Sequence, residues 1–255
     1  MGAFEGLVDW LSDPANWSGP EGVPARVGQH VQISGVSVAI ATAIALPIGL
    51  VIGHTRRFEF LGVSIANLGR AIPSFALLSI AFQIVANTWT GLAFSIVPTV
   101  VAMVLLGLPP ILTNTYVGVQ QVDRDTVEAA RGMGMRGRQI LGRLELPLAA
   151  PLIIAGVRTA AVQIIATATL AAYVGQEGLG RYIRDGFAQS SEGQPMVLAG
   201  AILVALLAIV TDLLFGIVER VATPRTSAAG PRRTRRLRPD VENPETALTG
   251  TPANP

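Results

Sequence analysis

The chain has 255 residues, 50% of them hydrophobic and only 14% charged, with a mean hydropathy of +0.50. Soluble domains carry about 25% charged residues, so the balance points to a membrane protein. There is no cysteine and no lysine, all 19 basic residues being arginine, which excludes disulfides, thiolate metal sites, P-loop lysines and Schiff-base lysines. The pI near 9.6 does not indicate nucleic acid, because the arginines sit beside apolar stretches and aromatic residues make up only 5%.

Residues 1–26 are mostly polar, carry Glu5, Asp9, Asp13 and Glu21, and lack the basic start, short apolar core and cleavage site of a signal peptide. They are expected to form an external N-terminal segment. Residues 27–221 are expected to form the membrane domain. Five runs approach or exceed the roughly 20 apolar residues that cross a bilayer: Val27–Gly53, Gly62–Ala86, Leu92–Val119, Leu148–Gly175 and Met196–Val218. All must be helical, since lipid offers unpaired backbone groups no partners. Pro47, Pro73, Pro98 and the pair Pro109-Pro110 should interrupt or kink them, either as pathway-lining breaks or as kinked packing.

Basic residues predict the orientation. Arg56 and Arg57 lie between spans one and two, Arg124, Arg131, Arg136, Arg138 and Arg143 between spans three and four, and Arg220 and Arg225 after span five. The other side has only Arg26, Arg181 and Arg184. The N-terminus is thus expected outside and the C-terminus in the cytoplasm. Residues 222–255 are rich in Pro, Thr, Ala and Arg and read as a disordered basic cytoplasmic tail, either solvated or held on anionic lipid.

The 123–147 stretch, DRDTVEAARGMGMRGRQILGRLELP, reads as two short helices. Asp125 is expected to cap the first, with Glu128 three residues on. Gly132 and Gly134 allow a reversal, and Ile140, Leu141 and Leu144 form the apolar stripe of the second helix, which Pro147 stops or kinks. Physics alone gives an amphipathic helix–turn–helix beneath the bilayer, or a loop lying on lipid headgroups.

Glu128-Ala129-Ala130, Gly134, Leu144 and Leu146-Pro147 closely resemble the EAA motif of binding-protein-dependent ABC importer permeases, with its spacing complete. The resemblance runs over most of residues 30–220. Around Arg70-Ala-Ile-Pro73, Leu108-Pro-Pro-Ile-Leu-Thr-Asn114-Thr-Tyr116, Gly156-Val-Arg158-Thr-Ala and Gly175-x-x-Gly178-Leu-Gly180 it narrows to the osmoprotectant subfamily, which imports glycine betaine, carnitine, choline or proline betaine. It implies an all-α polytopic bundle of about five transmembrane helices, the type I importer (MetI-like) permease fold. It also implies coupling to ABC ATPase subunits through Glu128, Ala129, Ala130, Gly134, Leu144, Leu146 and Pro147. Further implied partners are an external solute-binding protein and a second permease subunit, identical or a paralogue. On this reading the chain is no enzyme and binds no cofactor itself, ATP and Mg belonging to the partner ATPase. One departure stands in the external turn, a candidate gate formed by Gly175, Gly178 and Gly180. Gln176 and Glu177 replace the family's usual Ala-Gly there, which puts the turn's flexibility in question.

Arg70 and Arg158 lie inside apolar spans and should face the bundle interior. They either guide a substrate carboxylate or act as structural glue through backbone carbonyls or a partner subunit. Pro73, Asn114 and Tyr116, like Gln83 and Gln163, are pathway-lining or interhelical residues. The Gly175–Gly180 cluster lacks the strand, helix and lysine of a phosphate loop. His30 and His54 have no histidine or carboxylate at helical spacing, so no metal site is expected. Few aromatics are available for a quaternary-ammonium cage, which places selection in the external binding protein. Other readings are a permease for another small solute such as methionine, and a non-transporting anchor that recruits an ATPase. A membrane enzyme is a third, but the inner-side acids form no catalytic set beyond the capping pair.

Overall fold

In the computed structural model, residues 3–57, 60, 62, 64, 72–86 and 93–222 are described. The predicted tail, Arg70 and the first part of the second predicted span lie outside them. All the described elements are helical: α1 (Ala3–Ser12), α2 (Val23–Thr55), α3 (Ser74–Ala86), α4 (Ala93–Gln120), α5 (Arg124–Gly132), α6 (Gly137–Ile140), α7 (Leu146–Ala168), α8 (Gly180–Ala188) and α9 (Gln194–Ala222). Four helical stretches are long and apolar enough to cross a membrane, namely Val23–Thr55, Ile96–Gln120, Gly137–Val174 and Gln194–Ala222, and Ser74–Val85 is a shorter apolar helix.

The centre is a three-helix contact. Ala41, Ala45 and Ile52 of α2, Val104, Ile111, Leu112 and Tyr116 of α4 and Ala160 of α7 form one buried cluster. Small residues set the spacing, as between membrane helices generally. On α2, Ala41, Ala45, Gly49 and Gly53 recur every four residues, so they share one face. A Cβ at Gly49 would lie 2.7 Å from Thr115 Cβ, and one at Gly53 would lie 2.6 Å from Val119 Cβ. A second cluster joins α3 (Leu78, Ala81) to α4 (Ala102, Met103, Leu106) and α7 (Ile164, Ala168). α9 packs on α7 and α8, and α1 packs on α9.

Pro73 lies outside any helix, just before α3, but the prolines within the described helices do not end them. α2 continues through Pro47, α4 through Pro98, Pro109 and Pro110, and α7 through Pro151. Pro147 does not stop the second helix of the 123–147 stretch either. α6 runs through a π-helical turn at Leu141–Glu145 into α7, where Leu146 N–H donates to Leu141 O. The wider turn fits the cause, since proline gives no N–H to the carbonyl four residues back and its ring crowds it.

Two helices were absent from the sequence-based picture. α1 is not a plain polar segment: Leu7 is buried, and Trp10 meets Tyr182 of α8 edge-on, with ring centroids 5.1 Å apart. Span four ends in a 3₁₀ turn (Thr169–Val174), and the residues between it and span five form α8.

Candidate coupling segment and transmembrane site

The α5–α6 hairpin is built from local signals. Asp123, rather than Asp125, caps α5, its Oδ1 accepting from Asp125 N–H at 2.8 Å. Asp125 lies in the first turn, where a carboxylate suits the positive helix end. At the other end Gly134 has φ +83°, Gly134 N–H donates to Arg131 O at 2.9 Å and Met135 N–H to Ala130 O at 3.1 Å. That pair of bonds is a Schellman motif, which calls for glycine at the left-handed position. The next helix opens with Gln139 Oε1 accepting from Arg136 N–H at 2.8 Å.

Glu128 and Ala129 are exposed and Ala130 is buried, so the hairpin offers one face outward and anchors with the other. Leu144 is half-buried, while Leu146 and Pro147 are exposed. Met133, at the tip, is 77% exposed, an apolar side chain presented beside Glu128 and Ala129 that the motif did not single out.

The hairpin is tied to the bundle by a pair that sequence spacing could not show. His54, in the last turn of α2, has Nδ1 2.6 Å from Oε2 of Glu145, whose residue is 5% exposed. The two are 91 positions apart. Gly137 sits against the same imidazole. A polar cleft of about 260 Å³ lies here, lined by His54, Arg56, Arg124, Glu128, Arg131 and Glu145 among others.

At the opposite end of the bundle, the turn with the unusual Gln176-Glu177 is clamped. Glu177 pairs with Arg26 in the first turn of α2, a buried arginine that also reaches Glu21 at 3.2 Å. Gly175 (φ +87°) and Gly178 (φ +116°) hold left-handed conformations, and Gly178 packs against His30. His30 is itself buried, with Nε2 3.0 Å from Ile165 O. Gly180 opens α8 where an added Cβ would collide with the Thr169 backbone. Tyr182 donates its hydroxyl to Glu21 O at 2.6 Å. Burial raises its phenol pKa most, nearby Arg26 lowers it and Glu21 raises it, for a net rise, so the phenol stays a donor.

The pathway candidates divide. Arg70 lies outside the described residues. Pro73 is exposed just before α3, its carbonyl accepting from Leu77 N–H at 3.0 Å. Tyr116 is buried in the central cluster. Asn114 donates Nδ2 to Pro110 O at 2.8 Å and lies against Gly156 of α7. Arg158 is held by two carboxylates of α9: Nε to Asp212 Oδ1 and Nη2 to Asp212 Oδ2, both at 2.6 Å, and Nη1 to Glu219 Oε2 at 3.3 Å. Its partners here are side-chain carboxylates rather than the backbone carbonyls expected from the sequence. Asp212 and Glu219 are seven residues apart and share a face of α9, a signal that could have pointed to them.

The model of the family described as "Binding-protein-dependent transport system inner membrane component" matches residues 45–223. The chain is 33% identical over 201 residues to the glycine betaine/carnitine/choline transport system permease protein OpuCB of Bacillus subtilis, covering 78% of this chain and 88% of the relative. It is 38% identical over 224 residues to the carnitine transport permease protein OpuCD of Listeria monocytogenes, covering 88% and 95%. It is 34% identical to the osmoprotectant import permease protein OsmW of Salmonella typhimurium, covering 77% and 90%. Among solved structures, the inward-facing MetNI methionine ABC transporter matches with a TM-score of 0.69 at 22% identity over 84% of this chain and 100% of that one, a likeness of fold. With the helical bundle and the EAA hairpin already in place, these matches make the chain a member of the inner-membrane permease family of binding-protein-dependent ABC importers.

Proposed function

We propose that this permease carries quaternary-ammonium compatible solutes, the class of glycine betaine, carnitine, choline and proline betaine. The observation that carries this reading is the 33–38% identity to permeases named for these solutes, over more than three quarters of the chain. The chain would work with a second permease subunit, an external solute-binding protein and two ATPase subunits that hold ATP and Mg. The distribution of arginines supports an external N-terminus and a cytoplasmic C-terminus, with the α5–α6 hairpin docking on the ATPase. Exposed Glu128, Ala129 and Met133 give that hairpin a face to dock with. Closure of the ATPases on ATP would move it and tilt the spans between two access states.

The test is ATP-dependent uptake of labelled glycine betaine, choline and carnitine into liposomes holding this chain with its ATPase and binding protein. A Gly134→Asp variant serves as control. Uptake that the control abolishes supports both solute class and coupling. An assembled, ATP-hydrolysing complex that takes up none of the three overturns the solute class, and methionine is then tested.

A further inference from the structure

The surface of α1 divides into three sectors. At about 100° per residue, positions four and then three apart share one side of a helix. Gly6, Leu7 and Trp10 turn to the bundle. A Cβ at Gly6 would lie 2.8 Å from Pro195 Cγ, Leu7 is buried, and Trp10 packs on the cluster of Val23, Leu179, Tyr182 and Val204. Glu5, Asp9 and Ser12 make an exposed polar sector. Phe4, Val8 and Leu11 make an apolar one, in which Phe4 is 75% exposed, Val8 62% exposed and Leu11 half-buried. A helix lying between a protein core and water needs only one apolar stripe. α1 has a second, beside the first.

Neighbouring contacts show which way the second stripe points. A cleft of about 310 Å³ is lined by Gly6, Asp9 and Trp10 on α1 and by Gln189, Glu192 and Pro195 on the α8–α9 turn and the start of α9. The Asp9 edge of α1 thus lies toward that turn. The other edge, with Leu7, Leu11 and Phe4, lies away from it, in the direction that α9 takes into its span. α9 has 29 residues and is about 43 Å long, against a hydrocarbon core of about 30 Å. Its first turn, where Pro195 meets Gly6, therefore stands at the level of the headgroups. Trp17 belongs to the same edge. Its Nε1 donates to Leu11 O at 2.7 Å, and the residue is 47% exposed. An indole with its N–H satisfied and its ring open suits a membrane–water boundary. No basic residue lies between Glu5 and Glu21, so anionic headgroups are not what holds this segment.

We propose that α1 is an interfacial helix. It lies along the leaflet at the α8–α9 end of the bundle, with Phe4, Val8 and Leu11 in the acyl boundary, Trp17 among the headgroups, and Glu5, Asp9 and Ser12 toward water. This goes beyond the solute reading and does not depend on it. Apolar burial in lipid is the force that holds it, and its packing on Pro195 ties that hold to the start of the last span.

The chain has no cysteine, so a single fluorescent thiol label falls where it is placed. Phe4→Cys, Val8→Cys and Ser12→Cys are each labelled with bimane in the transporter complex, in liposomes of phosphatidylcholine and phosphatidylglycerol. Quenching by lipid with a nitroxide near the headgroup end of its tail should be about threefold stronger at Phe4 and Val8 than at Ser12, and quenching by aqueous iodide should follow the reverse order. Iodide quenching at Phe4 and Val8 equal to that at Ser12 puts the stripe in water. Shielding from both quenchers gives it to protein, as a second copy of the chain or an external partner. Either result overturns the proposal. A Phe4→Ser, Val8→Ser double variant leaves the bundle-facing Gly6, Leu7 and Trp10 in place. In the same liposomes its hydrogen exchange over residues 3–12 should rise about tenfold, with residues 100–118 unchanged, and an unaltered rate over 3–12 also overturns the proposal.

Discussion

At the scale of single residues, the His54–Glu145 contact joins the lower end of α2 to the turn that leads from the hairpin into α7. Removing the imidazole leaves a carboxylate that is 5% exposed without its partner. His54→Ala should therefore lower thermal stability by about 1–3 kcal/mol in detergent. The double substitution His54→Ala with Glu145→Ala should cost less than the sum of the singles, because the second change removes the group that the first left stranded. Additive losses in thermal unfolding would show that the pair carries no coupling energy. Met133 belongs to the same scale. If the hairpin docks on the ATPase as proposed, this exposed side chain is the apolar group it offers there, and Met133→Ala should weaken binding of the purified ATPase by about fivefold while leaving the hairpin folded.

At the scale of elements, α2 distinguishes glycines that pack from glycines that do not. Gly49 meets Thr115, whereas nothing lies within 4 Å of a Cβ at Gly28. Gly49→Leu should cost about 1–3 kcal/mol by overpacking. Gly28→Ala should be neutral or raise the unfolding temperature, since alanine is the better helix former by about 1 kcal/mol. Thermal unfolding of the two variants side by side checks both. The elements also show what was legible in the sequence. Long apolar spans announce themselves by length alone, and the hairpin did so by fixed spacing around Glu128, Gly134 and Pro147. Helices α1 and α8 were missed because they are short and amphipathic, although Phe4, Leu7, Val8 and Leu11 recur at helical intervals. The partners of His54 and Arg158 were missed for another reason. They lie 91 and 54 positions away, and helical spacing rules reach only one turn. Pro47, Pro98, Pro109 and Pro110 lie within helices because neighbouring helices re-satisfy the carbonyls that a proline frees.

At the scale of the whole molecule, the turn carrying Gln176 and Glu177 departs from the glycine-rich form that the family resemblance implied, and these residues are not idle in the structure. Glu177 reaches Arg26 at the start of α2, so the loop between spans four and five is fastened to the first span. Glu177→Gly should release it, and hydrogen exchange over residues 176–180 should rise about tenfold or more. An unchanged exchange rate would mean that the glycines and the His30 contact hold the turn by themselves.

The stretch from Gly137 to Val174 is helical throughout, the π turn at Leu141–Glu145 widening it and the 3₁₀ turn at Thr169–Val174 tightening its end. Thirty-eight residues make a rod about 55 Å long. One end carries the hairpin and the other meets the turn that Glu177 fastens. A rod of that length rotated by about 5° sweeps its tip through about 5 Å, several times the slack of an ion pair. Any tilt imposed at the hairpin must then either strain the Arg26–Glu177 clasp or carry α2 with it, so the two ends of the bundle cannot keep independent time.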